Sequence, residues 1–178
     1  MRALAWNCRG ANSKNFTANP YIRWLVTKTN PGFVFLSETK CSASNLSTIF
    51  NKWGCKGSTG VDALNFSGGL FCSLVLHESS KLAKCQGFVA ILGDFNQVEF
   101  SDQKKGGSGY LLGFNTWCNN KEGSELIYEQ LDQAYCNEAW RCLFSDTSIL
   151  NFEILVSDHA AILLESSPLK SKRKSLIK

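Results

Sequence analysis

FVAILGDFN, residues 88–96, runs five apolar residues into a glycine and then places an aspartate and an asparagine two positions apart. A short, uninterrupted apolar run of this kind predicts a strand buried on both faces, within a sheet covered by further layers. In an extended chain, positions i and i+2 share a face, so Asp94 and Asn96 project together while Phe95 points the other way. Two readings fit. A carboxylate and an amide side by side at the C-terminal end of a buried strand suit a metal or phosphate site. Gly-Asp and Asx residues also build turns.

Moving outward, RALAWNC (2–8) reads as a first strand and FVFLSE (33–38) as a second, the latter ending on the acid Glu38. Between them, Asn19 and Pro20 start a helix over 19–30, which Asn30-Pro31-Gly32 ends. In NLSTIFNKW (45–53), Leu46, Ile49, Phe50 and Trp53 recur at i, i+3, i+4 and i+7, the stripe of an amphipathic helix that Gly54 stops. GLFCSLVL (69–76) is a third strand, FVAIL (88–92) a fourth, and SDQKKGGSG (101–109) a loop. Glu122 to Phe144 is ambiguous: Ile127, Leu131 and Ala134 have helical spacing, yet the segment also reads as extended. Asn137 caps a short helix, NEAWRCLF. Two more strands, 149–156 and 160–165, flank Ser157-Asp158-His159. Strands alternate with helices early and with each other late, which predicts α/β with a mixed sheet.

The 178 residues suit one domain with a real core, at 44% hydrophobic and 19% charged. No apolar stretch approaches a membrane span, and the N-terminus reads as a strand rather than a signal peptide, so a soluble, intracellular monomer without an obligate partner is expected. The net charge of +4 resides in the last nine residues, which hold five basic side chains (Lys170, Lys172, Arg173, Lys174, Lys178); without them 14 basic residues face 15 acidic ones. A tail over 168–178 is open to three readings: a nuclear address, a nucleic-acid-touching arm or a solvated terminus. The eight cysteines form no C-x-x-C pair and most sit in apolar surroundings, as reduced structural thiols do.

Three strand ends carry carboxylates: Glu38, Asp94 and Asp158. Catalytic groups of α/β proteins collect at such ends. Several carboxylates and amides without a thiolate cluster fit a hard cation such as Mg²⁺, held beside a phosphate by one or two carboxylates. His159 can act there as acid, base or hydrogen-bond donor to a phosphate oxygen.

AWNCRG, FLSETK, ILGDFN, QKKGGS, TWCNN, EQLDQA, NEAW and SDH, in this order, resemble the endonuclease/exonuclease/phosphatase superfamily, in particular the endonuclease domain of plant LINE-type (non-LTR) retrotransposons. The resemblance covers 1–167. It implies a four-layer α/β sandwich of two mixed sheets with outer helices. It also implies divalent-metal-dependent hydrolysis of phosphodiesters or phosphomonoesters, with Mg²⁺ as cofactor, Mn²⁺ as substitute and DNA as substrate. On this likeness Glu38 is the principal metal ligand, with Asn7, Asp94, Asn96 and Asp158 completing the set. Asp94 orients or deprotonates the attacking water. Asn96, like Asn7, contacts the phosphate; His159 binds the scissile phosphate, and Asp132 orients His159. Trp117 stacks on a base or sugar, or belongs to the core. The same likeness makes LIYEQLDQAY a strand.

The chain also departs from the family. Between the third and fourth strands, residues 77–88 are too short for the family's further strands and lack its active-site tyrosine, and 107–114 mark a second shortening. Gln130 and Gln133 replace family arginines. The expected fold is therefore incomplete, and a degenerate, inactive relic or a phosphatase for small esters stand as alternatives to the DNA endonuclease.

Overall fold

The computed structural model describes residues 1–10, 20–64, 67–74, 89–98, 104–106 and 115–167. The two shortened stretches, His77 and the basic tail lie outside these residues.

Strand β1 (Arg2–Asn7) is the centre of the molecule. It runs parallel to β2 (Phe33–Ser37), with Ala3 beside Phe33 and Asn7 beside Ser37, and antiparallel to β11 (Ile162–Ser167). With β3 (Lys56–Val61), β4 (Leu70–Leu74) and β10 (Asp146–Asn151) these form a six-stranded mixed sheet of order β10-β11-β1-β2-β4-β3. The parallel β1–β2 pair needs a crossover, which α1 (Pro20–Thr29) supplies.

Alternation along β1 divides two cores. Leu4, Trp6 and Cys8 face α1 and α2 (Ala43–Lys52), against Ile22, Leu25, Leu46 and Phe50. Ala3, on the opposite face, packs with Leu164, Trp140 and Phe144, and with Ala90 and Leu92 of β5 (Ala90–Asp94). Helix α2 begins two residues before the expected stripe because Ser42 is its cap, accepting from the Asn45 amide at 3.4 Å. The expected cap on α3 (Glu138–Leu143) is present: Asn137 Oδ1 accepts from Trp140 N at 3.0 Å.

The second set of strands pairs β5 antiparallel with β9 (Asp132–Cys136), and places β6 (Lys104–Gly106), β8 (Ile127–Glu129) and β7 (Trp117–Cys118) in the order β6-β8-β7. Mixed sheet and helices together make the predicted α/β sandwich class.

Three expectations are corrected. The apolar run at 88–92 is not buried on both faces: Ala90 and Leu92 face the core, whereas Ile91, opposite Tyr135, is 55% exposed. The loop expected over 101–109 contains strand β6, paired to β8. The 122–144 segment, open between helix and strand in the sequence, is extended over Ile127–Glu129 and Asp132–Cys136, as the family likeness implies, and helical over α3. The strand placed at 149–156 leaves the sheet at Asn151, so residues after it are free to form the loop carrying Ser157, Asp158 and His159. β3 was not foreseen because KGSTGV has no apolar alternation; it is a polar edge strand, and such strands resist edge-to-edge association. Cys8, Cys41, Cys55, Cys72, Cys118, Cys136 and Cys142 are free thiols, and burial pushes that of Cys8 up to about 12, leaving it neutral and inert.

Candidate active site

Strand ends from the six-stranded sheet and from the β5–β9 pair meet at one edge. Asn7 terminates β1, and its Nδ2 donates to Asp94 Oδ2 at 2.8 Å and lies 3.4 Å from His159 Nε2. Asp94 terminates β5 directly across from Asp132, the first residue of β9. Asp132 Oδ2 is 2.9 Å from His159 Nδ1, and both side chains are at most 3% exposed. Asp94, Asp132 and His159 offer ligand atoms that all lie within 4.8 Å of one another.

The backbone that builds this arrangement is tightly specified. Thr116 Oγ1 accepts from Leu131 N at 3.0 Å and from Asp132 N at 2.8 Å, which forces the break between β8 and β9 and aims Asp132 inward. Ser157 Oγ donates to Asn7 O at 2.8 Å and accepts from His159 N at 3.1 Å, tying the 157–159 loop to β1. Trp6 Nε1 donates to His159 O at 3.1 Å. Among the described residues, six non-glycine positions have positive φ, and Arg9, Glu38, Lys40 and Asn96 are four of them, all just past strand ends at this edge. Such conformations cost about 1–3 kcal/mol each and persist where surrounding structure over-determines them.

Asp94 and Asn96 do not project together as in a continuing strand. β5 ends at Asp94, Asn96 takes φ 51°, and its amide donates to Asp94 Oδ1 at 2.8 Å. The stretch is thus both a turn and a site-edge carboxylate; the two readings of the sequence were not exclusive.

Asp158 is 8% exposed and lies outside the three-residue group. Its Oδ2 is ion-paired to Arg9 Nη1 and accepts from Trp117 Nε1 at 3.1 Å. Trp117 is half-buried, with its backbone bridged to His159. The Glu38 carboxylate also lies outside the group; its carbonyl accepts from Gly10 N, joining the loops after β1 and β2. Arg9, Thr116 and Ser157 were not singled out from sequence. Ser157 and Thr116 carried a weak signal, since hydroxyls preceding Asp-His and Trp are placed to hold local backbone.

Burial raises the Asp132 pKa, opposed by its bond to His159. Burial alone would lower that of His159, but Asp132, Asp94 and Asp158 together raise it, so the imidazolium persists above the usual histidine range. Asp132 Oδ1 is buried without a hydrogen-bond partner. An orphaned carboxylate oxygen among oxygen-rich donors fits a hard divalent cation such as Mg²⁺.

No protein-family model and no curated protein sequence matches the chain. Solved structures do. The 3′-5′ exonuclease NExo from Neisseria meningitidis aligns at 12% identity and a TM-score of 0.64, covering 93% of this chain and 99% of that one. A Neisseria 3′ phosphatase NExo bound to product DNA hairpin gives 11% and 0.67, covering 94% and 99%. The AP endonuclease LMAP from Leishmania major gives 10% and 0.62, covering 92% and 86%. These are members of the endonuclease/exonuclease/phosphatase superfamily. At these identities the likeness is one of fold.

Proposed function

We propose that the chain hydrolyses phosphodiester bonds in DNA with a divalent cation, as an endonuclease of LINE-type ancestry acting as a nuclear monomer. The observation that carries this reading is the convergence of Asn7, Asp94, Asp132 and His159 from four separated segments, with Asn7 Nδ2 donating to Asp94 and Asp132 bonded to His159 Nδ1.

Asp132 fixes His159 through Nδ1, leaving Nε2 turned toward Asn7 and Asp94. As imidazolium, it presents Nε2–H to a phosphate oxygen and stabilises charge developing there. Its 3.8 Å separation from Asp94 Oδ2 is too long for a hydrogen bond, so that proton is available to substrate. Asp94, oriented by Asn7 Nδ2 and the Asn96 amide, takes the proton of the attacking water. Asp94 and Asp132, with Asn7, Asn96 and Glu38, would hold Mg²⁺, for which Mn²⁺ substitutes, while the ring of His159 is kept for the phosphate and Asp158 is taken up by Arg9 and Trp117. A bound divalent cation supplies charge neutralisation at the phosphate and a more acidic water. Trp117, held by Asp158, flanks the phosphate as a stacking surface for the substrate.

Supercoiled plasmid tests this directly. Nicking that requires Mg²⁺, stops with EDTA and is abolished by Asp94→Ala is expected, with the variant's melt recorded alongside. Hydrolysis of a small phosphate ester without plasmid nicking would make the chain a phosphatase. A cooperative melt with neither activity would make it an inactive relic.

A further inference from the structure

The β5–β9 ribbon stops short of the sheet beneath it. β5 lies over β1 and β9 over β11, so the open edge of β5 points along the six-stranded sheet toward β4 and β3. Phe33 and Phe35 of β2 face the ribbon: Phe33 packs against the same core cluster as Ala90 and Leu92, and a Cβ on Gly93 would meet Phe35 Cε1 at 3.8 Å. Strand register carries this face outward, with Phe33 beside Leu74, Phe35 beside Cys72, Ser37 beside Leu70, and Leu70 beside Val61. Burial falls step by step in the same direction. Ala3 is buried, Phe33 and Phe35 are half-buried, Leu74 and Leu70 are 43% and 44% exposed, and Val61 is 64% exposed. An apolar face that runs unbroken from a packed core into the open is shaped for a further layer. The backbone beside it is open too. Val89 O accepts from Asn137 N and Phe95 N donates to Leu131 O, so Val89, Ile91, Gly93 and Phe95 turn their main-chain groups toward β9. Ala90, Leu92 and Asp94 turn theirs away, and among the described residues no strand pairs with that edge.

We infer that this ledge is a docking site for one extended segment of a partner polypeptide with apolar side chains at alternate positions. The segment pairs with the Ala90, Leu92 and Asp94 edge of β5 and lays every second side chain on Phe33, Phe35, Leu70 and Leu74. Two features of the molecule choose this occupant. The edge demands a strand, because only an extended backbone repeats donors and acceptors in step with β5, about 4.8 Å away. The floor demands alternation, since sheets stack about 10 Å apart and the inward side chains of the added strand fill that gap. A second copy fits worse. It brings a six-stranded sheet along with its ribbon, and antiparallel pairing of two β5 edges drives the two lower sheets into each other. The ledge stands apart from the nuclease reading but borders the site: Asp94 closes the edge, so a docked strand braces the residue whose carboxylate Asn7 holds.

The probe is a set of fluorescein-labelled peptides of about nine residues, within the usual strand length, alternating threonine with valine, isoleucine, leucine or phenylalanine. Anisotropy against the whole chain is expected to show binding tighter than about 1 mM, lost when the peptide amides that would face β5 are N-methylated. Leu70→Lys and Leu74→Lys, both at exposed positions, are each expected to weaken it about fivefold, the worth of covering the open half of a leucine. Hydrogen exchange followed by NMR gives a second readout. On adding peptide, the amides of Ala90, Leu92 and Asp94 are expected to slow, whereas those of Ile91 and Gly93, already turned to β9, keep their rates. Absence of binding across the set, N-methylated peptides that bind as well, or unprotected Ala90 and Leu92 amides would each overturn the ledge. So would self-association of the chain that Leu74→Lys abolishes, which would give the face to a second copy. Plasmid nicking plays no part in these readouts, so a chain without nuclease activity leaves them intact.

Discussion

Replacing Asp132 with Asn keeps the shape of the pair with His159 and removes its charge. The carboxylate and imidazole are both buried and 2.9 Å apart, so the bond lost is a charge-assisted one worth about 1.5–3 kcal/mol. For a chain of this length each kcal/mol moves Tm by about 2–4 °C, which gives a loss of roughly 3–12 °C. The sign depends on pH. The folded His159 pKa is raised, so the stability it contributes is full below the ordinary imidazole value and disappears as pH rises through the folded value. The Asp132 pKa is raised chiefly by burial, so the unfolded carboxyl ionises first and folding weakens as pH rises through the window above the ordinary aspartate value. Both groups thus make the folded state bind more protons. Below the folded His159 value the variant forfeits the ion pair; above it the variant merely replaces a buried anion beside a neutral ring, and the deficit shrinks or reverses. Thermal melts by circular dichroism at about pH 6 and at successively higher pH check this, and a deficit that stays constant with pH would falsify the coupling.

Thr116→Val keeps volume but orphans the Leu131 and Asp132 amides, with an expected cost of about 1–3 kcal/mol for each, read from urea unfolding. Gly69→Ala places a methyl 2.4 Å from Thr39 Oγ1 at φ 91°; a loss of more than 1 kcal/mol is expected, and a neutral result would mean that the 38–40 loop yields easily. Asn137→Ala removes both the α3 cap and the bond from Val89 N, costing about 0.5–2 kcal/mol in the same assay. Adding Mg²⁺ at a hundredfold excess over its Kd should raise stability by about 2.7 kcal/mol, seen as a higher Tm that EDTA reverses and that Asp94→Ala lacks.

Much of this architecture was readable because its signals are local. The Asn-Pro start and Asn-Pro-Gly end of α1, the i, i+3, i+4 stripe of α2, the Asn137 cap and the apolar runs of β1 and β2 each name one element. The motif ends Asn7, Asp94, Asp132 and His159 were identified as site residues and the fold brings them together. What the sequence hid is decided by partners. Ile91 is as apolar as Leu92, and only the layer beneath β5 determines which of the two is buried. KGSTGV is a strand solely because β4 offers it a hydrogen-bonding edge. Asp158 looked like one more acid at a strand end; its pairing with Arg9 depends on a left-handed turn 149 residues away.

The site straddles a boundary. Asn7 and His159 are anchored on the six-stranded sheet, whereas Asp94 and Asp132 sit opposite each other on the β5–β9 ribbon. Small apolar contacts, Ala3 and Leu164 against Ala90 and Leu92, are what keeps the halves in line. Activity in such a molecule reports alignment rather than folding: a slip of an ångström between the slabs, invisible to circular dichroism, would part the asparagine from its aspartate and silence the chemistry while every helix and strand survived.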